Sequence, residues 1–335
     1  MSPTSTSPAD LPHTHHAVVA TGAGGPEVLE WTQVPVPEPG PGQVLVRTAG
    51  VGLNFIDTYR RSGVYPVDFP SVPGTEASGT VVALGEGTDR ALLGTRVATA
   101  AAQGAYAEHF TADADSLLPV PQGVDLTEAA ALPLQGMTAH YLCRSTFPVT
   151  EGQTAVVTAG AGGVGLLLTQ LAAACGAQVV TAASTEHKRE LSRRAGATAS
   201  VDYADLRATV QELTDGEGAH VVYDGVGKDT FEDSLASLRP RGMLVLFGGA
   251  SGQVPPFDLQ RLNSGGGLFV TRPSLTWYTR TAEETRGRGE ELFEAWAAGR
   301  LSVRIGERVP LAEAAHAHTL LESRSTTGKV LLTLD

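Results

Sequence analysis

Thr154-Ala-Val-Val-Thr-Ala-Gly-Ala-Gly-Gly-Val-Gly165 is the stretch on which the fold turns. Ala155 to Val157 is apolar and β-rich, the glycines follow at once, and Val164 to Ala174 carries Leu166, Leu167, Leu168, Leu171 and Ala172 with little polarity. That pattern is a short buried strand, a glycine turn and a helix packed against a sheet. Strand, Gly160-x-Gly162-x-x-Gly165 and helix, in that order, suit a dinucleotide pyrophosphate. Gly160 permits the tight turn, Gly162 lets the backbone approach the phosphates, and Gly165 lets the helix pack against the strand. The whole turn, Gly160, Ala161, Gly162, Gly163, Val164 and Gly165, is therefore assigned to the cofactor, with free N–H groups at the helix start facing its charge.

The next strand decides which dinucleotide. Beyond Gly176, Ala177 to Ala183 is β-like, and an NAD site commonly places Asp or Glu at its end to hold the ribose hydroxyls. None stands there. Ser184 and Thr185 offer hydroxyls and Lys188 and Arg189 offer cations, a set that suits a 2′-phosphate and points to NADPH. Glu186 dissents, although it also reads as the acidic first turn of the next helix.

The flanking pattern gives two domains. From Ala17 to about Pro121 short strands alternate with Gly and Pro, as in an antiparallel, barrel-like domain. Beyond Asp125 strands alternate with amphipathic helices (154–158, 178–183, 199–202, 220–224, 242–247 and 268–271), which describes a doubly wound parallel sheet, the Rossmann type. After Ser274 a long helix, Thr281 to Ala298, and further short elements are too few for a third domain and complete the first. The expected division is a disordered tail over 1–16, a barrel-type catalytic domain over 17–137 and 275–335, and a dinucleotide-binding domain over 138–274.

Composition excludes several classes. With 24 basic against 36 acidic residues the net charge is −12, the wrong balance for a nucleic-acid binder. No apolar run approaches a membrane span, and the Ser-, Thr- and Pro-rich start lacks the features of a signal peptide. Cys143 and Cys175 are the only cysteines and sit in apolar helical patterns, which reads as two inert thiols in a reducing cytoplasm.

Gly52-Leu-Asn-Phe-Ile-Asp-Thr-Tyr-Arg-Arg-Ser-Gly-Val-Tyr-Pro66, Pro73-Gly-Thr-Glu-Ala-Ser-Gly-Thr-Val81, Ala159 to Gly165, Val222 to Gly227 and Val270 to Leu275 together resemble the zinc-free, zeta-crystallin-like quinone oxidoreductases of the medium-chain dehydrogenase/reductase superfamily. The resemblance runs from about Ala17 to the end. It implies a GroES-like catalytic domain, a Rossmann domain, NADPH-dependent quinone reduction, and a homodimer joined through the edge strands of the Rossmann sheets. It places Asn54 and Tyr59 beside the nicotinamide, and Thr138 with the glycine turn on the pyrophosphate. Ser184, Lys188 and Tyr203 fall on the adenosine phosphate, and Gly225, Phe247 and Gly248 near the nicotinamide. Arg324 reaches the cofactor from the C-terminal helix, and Tyr65 and Arg272 border the quinone pocket.

Zinc-dependent members carry a Cys near the position of Asn54 and a His before the Glu of Gly-His-Glu; this chain has Gly74-Thr75-Glu76, so no metal is expected. The family often has Lys where Gln135 stands and Ser where Gly225 stands. The implied chemistry is direct hydride transfer to a quinone, with Tyr59, Tyr65 or Arg272 stabilising the developing hydroquinone anion. Asp57 reads as a helix-start residue, and His316 and His318 as solvated. Two other functions stay open: reduction of an enone or enoyl double bond, and a non-catalytic, crystallin-like or RNA-binding role.

Overall fold

The computed structural model describes residues 11–334. The chain forms two compact units, residues 1–134 with 281–335 and residues 135–280. The chain crosses between them at 134/135 and at 280/281.

The first unit opens with β1 (Thr14–Ala20), β2 (Leu29–Pro35), β3 (Gln43–Leu53), α1 (Phe55–Arg61), β4 (Ala77–Leu84), β5 (Arg96–Thr99), β6 (His109–Asp113) and β7 (Leu118–Pro119). The second unit follows. It runs α2 (Pro133–Tyr141, its first two residues still in the first unit), β8 (Thr154–Val157), α3 (Gly163–Ala174), β9 (Gln178–Ala182), α4 (Glu186–Arg194) and β10 (Ala199–Val201). Then come α5 (Leu206–Leu213), β11 (Ala219–Asp224), α6 (Phe231–Ala236), β12 (Leu238–Leu246), α7 (Gln260–Ser264) and β13 (Phe269–Thr271). The chain returns to the first unit as α8 (Ala282–Ala297), β14 (Ile305–Pro310), α9 (Ala314–Glu322) and β15 (Lys329–Thr333).

In the first unit β14-β15-β3-β4-β5-β7 form one sheet, with β6 also on β3, and β1 pairs β2 as an antiparallel hairpin. β15, from the far end of the chain, lies antiparallel to β3, with Val330 opposite Leu53 and Thr333 opposite Gly50. This pairing explains why the last residues belong here: Val330, Leu331 and Leu332 are buried and need the β3 face. The core collects Val44, Val46, Val51, Phe110, Leu311 and Leu332.

The second unit holds six parallel strands in the order β10-β9-β8-β11-β12-β13. The order reverses between β8 and β11, so ligand chemistry is expected at the carboxyl ends of those strands. Val156, Val180, Val222 and Leu244, one per central strand, are fully buried, as in sheets covered on both faces.

Two expectations need correction. Of the segment read as a disordered tail over 1–16, residues 1–10 lie outside the described residues. Thr14 to His16, however, are already in β1, where His15 is buried and its ring accepts the His109 N–H at 3.1 Å. A polar composition hid a strand that pairs with β2, Thr14 opposite Pro35. His318, read as solvated, is fully buried; His316 remains exposed.

Candidate functional site

In the second unit the glycine turn is built by close approach. A Cβ on Gly165 would strike the Ala159 carbonyl oxygen, with Gly160 O at 2.9 Å, so α3 can reach the turn only with glycine there. At Gly160 a Cβ would lie 2.7 Å from Thr181 Cβ and 2.9 Å from Ser192 Oγ; this glycine serves packing against β9 and α4. The turn's one left-handed residue is Ala159, at φ 51°, whose N–H is accepted by Tyr203 Oη at 3.2 Å. Gly162 is the extended N-cap residue of α3, and a Cβ there would meet only Ala159 O at 3.2 Å, leaving room above the backbone. The first intrahelical bond of α3 runs from Leu166 N–H to Gly162 O at 2.9 Å. The N–H groups of Gly163, Val164 and Gly165 thus have no intrahelical acceptor, the arrangement that suits a phosphate. A dinucleotide fits this cradle at Gly162, where the backbone is bare and the first-turn N–H groups have no intrahelical acceptor; over Gly163 lies the Gln135 side chain, a flexible polar group.

Apart from Thr138 on α2, the remaining second-unit candidates follow the carboxyl ends of the parallel strands. Ser184 follows β9, exposed, and Thr185 caps α4 by accepting the Lys188 N–H at 3.3 Å. Burial pulls the Lys188 ammonium below its usual value. Glu186, the dissenting acid, is engaged by Arg193 and by Arg189 at 3.0 Å; those two partners hold its carboxyl below the usual range. Arg189 also donates to Ala183 O and to Asp202, each at 3.1 Å. Glu186, the acid that follows β9 in the sequence, is therefore occupied by cations of its own helix, and Asp202 by Arg189.

After β11, Asp224 organises the loop. Its buried carboxylate accepts from Thr158 Oγ1 (3.0 Å), Thr230 Oγ1 (2.8 Å), Ser234 Oγ (2.7 Å) and the N–H groups of Val226 (2.8 Å) and Gly227 (3.1 Å). Its carbonyl accepts the N–H groups of Phe247 (2.9 Å) and Gly248 (3.2 Å). Gly225, Phe247 and Gly248 are so brought together, and a Cβ on Gly225 would sit 2.8 Å from the Phe247 ring. Arg272, just past β13, donates to Leu246 O at 3.2 Å, and Thr138 lies buried on α2.

The first unit's candidates centre on α1. Tyr59 and Tyr65 meet edge to face at 5.9 Å between centroids, with Tyr65 exposed. Arg324 follows α9 with φ 57° and an exposed side chain. Asn54 precedes α1 and is almost fully buried. Its amide nitrogen donates to Gly52 O at 3.0 Å and to Glu76 Oε2 at 2.7 Å, and its oxygen accepts from Lys329 Nζ at 2.9 Å. Lys329 also pairs with Glu76, whose other oxygen accepts the Leu134 N–H at 2.7 Å. Asp57, at the third position of α1, accepts the Asn54 N–H at 3.0 Å, as its helix-start reading requires. Its other oxygen, Oδ1, is buried without a hydrogen-bond partner, and burial pushes its pKa up to about 6.

Behind Asp57 a polar chain runs from Tyr106 to Glu322. Arg61 Nη1 lies 3.0 Å from His318 Nδ1, His318 Nε2 lies 3.0 Å from Tyr106 Oη, and Tyr106 Oη lies 3.3 Å from Asp57 Oδ2. Arg61 can only donate, so His318 Nδ1 accepts, its proton is on Nε2, and every donor points toward Asp57. Burial and the Arg61 charge lower the His318 pKa to about 3, which keeps the ring neutral. Arg61 is in turn paired with Glu322 at 2.7 Å.

Sequence reasoning missed Lys329, Arg61, Tyr106 and His318 as members of one network. The available signal was Lys329 itself, one of three lysines, placed directly before the apolar Val330 to Leu332. Among the described residues no cluster of three or more His, Cys, Asp or Glu could hold a metal ion. The donors around Glu76 and Asn54 do not fit one either, because an ammonium already occupies both.

Sequence comparison agrees with this two-part architecture. Residues 40–122 match the family described as alcohol dehydrogenase GroES-like domain and residues 163–284 the family described as zinc-binding dehydrogenase, the two halves of the medium-chain dehydrogenase/reductase class. Within that class the chain belongs to the quinone oxidoreductase family. The quinone oxidoreductase of Pseudomonas aeruginosa is 45% identical over 92% of this chain and 96% of its own length. The structure of the Escherichia coli quinone oxidoreductase complexed with NADPH superposes with a TM-score of 0.92 at 40% identity, over 95% of this chain and 99% of that one. A 2-haloacrylate reductase of a Burkholderia species is 39% identical over 94% of this chain and 98% of its own length.

Proposed function

We propose that this chain is an NADPH-dependent quinone oxidoreductase that needs no metal. The observation that carries the reading is the cradle at the start of α3, bare at Gly162 with first-turn N–H groups that lack an intrahelical acceptor, beside a β9 end where Glu186 is engaged by Arg189 and Arg193. NADPH, when bound, supplies the hydride, and a quinone takes it together with one proton from solvent to give the hydroquinone and NADP+. The chain's residues bind and orient. The first turn of α3 holds the pyrophosphate with its N–H groups, and Ser184, Lys188 and Tyr203 hold the adenosine phosphate. Gly225, Phe247 and Gly248, fixed by Asp224, flank the nicotinamide. Arg272 in the second unit offers a donor for an acceptor oxygen, where negative charge develops, and Tyr59 and Tyr65 are the donors of that kind that the first unit holds. The test is consumption of NADPH by purified protein against a panel of benzoquinones and naphthoquinones; no consumption with any of them overturns the reading.

The similarity to a 2-haloacrylate reductase favours a second reading, reduction of an activated carbon–carbon double bond with the same cofactor. A kcat/KM for 2-chloroacrylate above that for every quinone in the panel would select it.

A homodimer is part of the proposal. β13 is an edge strand of the parallel sheet, and Phe269 and Val270 on it are 55% and 38% exposed. An apolar edge of this kind is a template for pairing, and a second copy pairing through its own β13 closes the contact by two-fold symmetry. Sedimentation of wild type and Phe269→Lys tests this, with the variant expected as monomer. Cys143 and Cys175 as free thiols support a reducing, cytoplasmic setting.

A further inference from the structure

Asn54 stands in the matched motif, yet its amide is committed. Both N–H hydrogens are given to Gly52 O and Glu76 Oε2, and one lone pair of Oδ1 takes a hydrogen from Lys329. An amide offers two donors and two acceptor sites, so Asn54 can present a ligand only with one lone pair and never with a donor. Its orientation is equally fixed. Turning the amide over would set its NH2 against the Lys329 ammonium and its oxygen against the Glu76 carboxylate and the Gly52 carbonyl, three repulsions in place of three bonds.

Lys329 and Glu76 are 1% and 0% exposed. A buried ion pair is weak evidence for stability, because desolvating both charges offsets most of their attraction, and its best-attested use is to specify one arrangement. Here the arrangement specified is that of α1. Asn54 precedes it, Asp57 in its first turn accepts the Asn54 N–H, and Tyr59 lies in its middle. Glu76 fixes two more points, accepting the Leu134 N–H and excluding any side chain at Gly52, where a Cβ would collide with its Oε2. Lys329 reaches this hub from β15, the strand that brings the far end of the chain onto β3.

We infer that Lys329 is a positioning residue of the reaction: acting through Glu76 and Asn54, its ammonium sets the Asn54 amide and the start of α1 in the one arrangement that turns over. The inference rests on the oxidoreductase reading above, and it assigns Lys329 no contact with substrate. Nothing is transferred to or from the lysine, so its contribution is to kcat and not to holding the cofactor phosphates, which belong to the other unit.

Lys329→Met, Lys329→Arg and the double variant Lys329→Met/Glu76→Gln separate this role from simple stability. Rates are counted per NADPH-binding site, titrated by fluorescence, so that any misfolded fraction drops out. The single Met variant leaves a buried carboxylate unpaired and should melt well below wild type, whereas the double variant carries no unpaired charge and should regain most of that loss. Expected is a kcat about tenfold or more below wild type in both, with the NADPH dissociation constant within about twofold, and partial recovery in Lys329→Arg. If Lys329→Met does not fold, the double variant carries the same test. A double variant with kcat within about twofold of wild type overturns the inference, since the pair would then be structural only. An inactive wild type counts against the oxidoreductase reading; variants indistinguishable from an active wild type count against Lys329.

Discussion

The two units solve the problem of buried polarity in opposite ways. The first encloses Asp57, Arg61, Glu76, His318 and Lys329, each under 5% exposed, pairs Arg61 with His318 and Lys329 with Glu76, and links these to Asp57 through Asn54 and Tyr106. The second keeps Glu186, Glu190, Arg193 and Arg261 in partly or fully exposed pairs and buries one carboxylate, Asp224, which it surrounds with hydroxyls and backbone N–H groups. A network of charges fixes geometry at the cost of sensitivity to pH and to the loss of any member. A backbone cradle is insensitive to charge but intolerant of volume. The first unit should therefore break by titration and by charge deletion, and the second by added atoms.

The largest effect is expected from volume. Gly165→Val places two branches against the Ala159 and Gly160 backbone and should weaken NADPH binding by about a hundredfold or more, seen in fluorescence titration, with a lowered Tm. A Gly165→Val protein that binds NADPH as wild type would remove the distinction between the units.

Titration comes next. His318 is held neutral with a pKa near 3, against an ordinary value of 6.5, so its contribution to stability is present above pH 6.5 and is lost as pH falls toward 3. Each pH unit in that window costs the folded first unit about 1.4 kcal/mol. Hydrogen exchange at pH 4.5 should show peptides of α9 and β3 opening before those of β8 and β11. Asp57 has the opposite sign. Its pKa is raised from 3.8 to about 6, so its neutral form is stabilising below pH 3.8 and that stability is lost as pH rises through 6, about 3 kcal/mol in all. Denaturant unfolding of Asp57→Asn should consequently gain on wild type between pH 4 and pH 7 and run parallel to it above.

The smallest effect sharpens the second unit alone. Lys188→Ala should lower the ratio of kcat/KM for NADPH over NADH by about tenfold while leaving Tm within the range of surface substitutions. An unchanged ratio would move 2′-phosphate recognition from Lys188 to other groups.

The two units also differ in how much of them the sequence discloses. The glycine turn, its flanking strand and helix, and the end of β9 are contiguous or one strand apart, so local pattern and spacing suffice to find them. The first unit's network joins residues 54, 57, 61, 76, 106, 318 and 329, and no local pattern connects Asn54 to Lys329. Only the antiparallel meeting of β15 with β3 does so. His318 was misread for the same reason: its partners Tyr106 and Arg61 come from distant segments, and a histidine on a short late helix carries no sign of them. Asn54 and Asp57 were legible as motif positions, but the commitment of both Asn54 amide hydrogens and the bare Oδ1 of Asp57 are facts of packing. At the glycine turn, spacing located the motif while assigning the tight turn to Gly160; the left-handed residue is Ala159.

That alanine has a consequence of its own. A residue with a Cβ resists the left-handed region by about 1 kcal/mol or more, and Ala159 is kept there by Tyr203 and by the packed glycines around it. The shape of the cradle is thus imposed by its surroundings before any ligand arrives, and the ordering entropy of the turn is charged to folding. A nucleotide meeting a turn already set has less disorder to remove, so its affinity is gained through rigidity rather than through additional contacts.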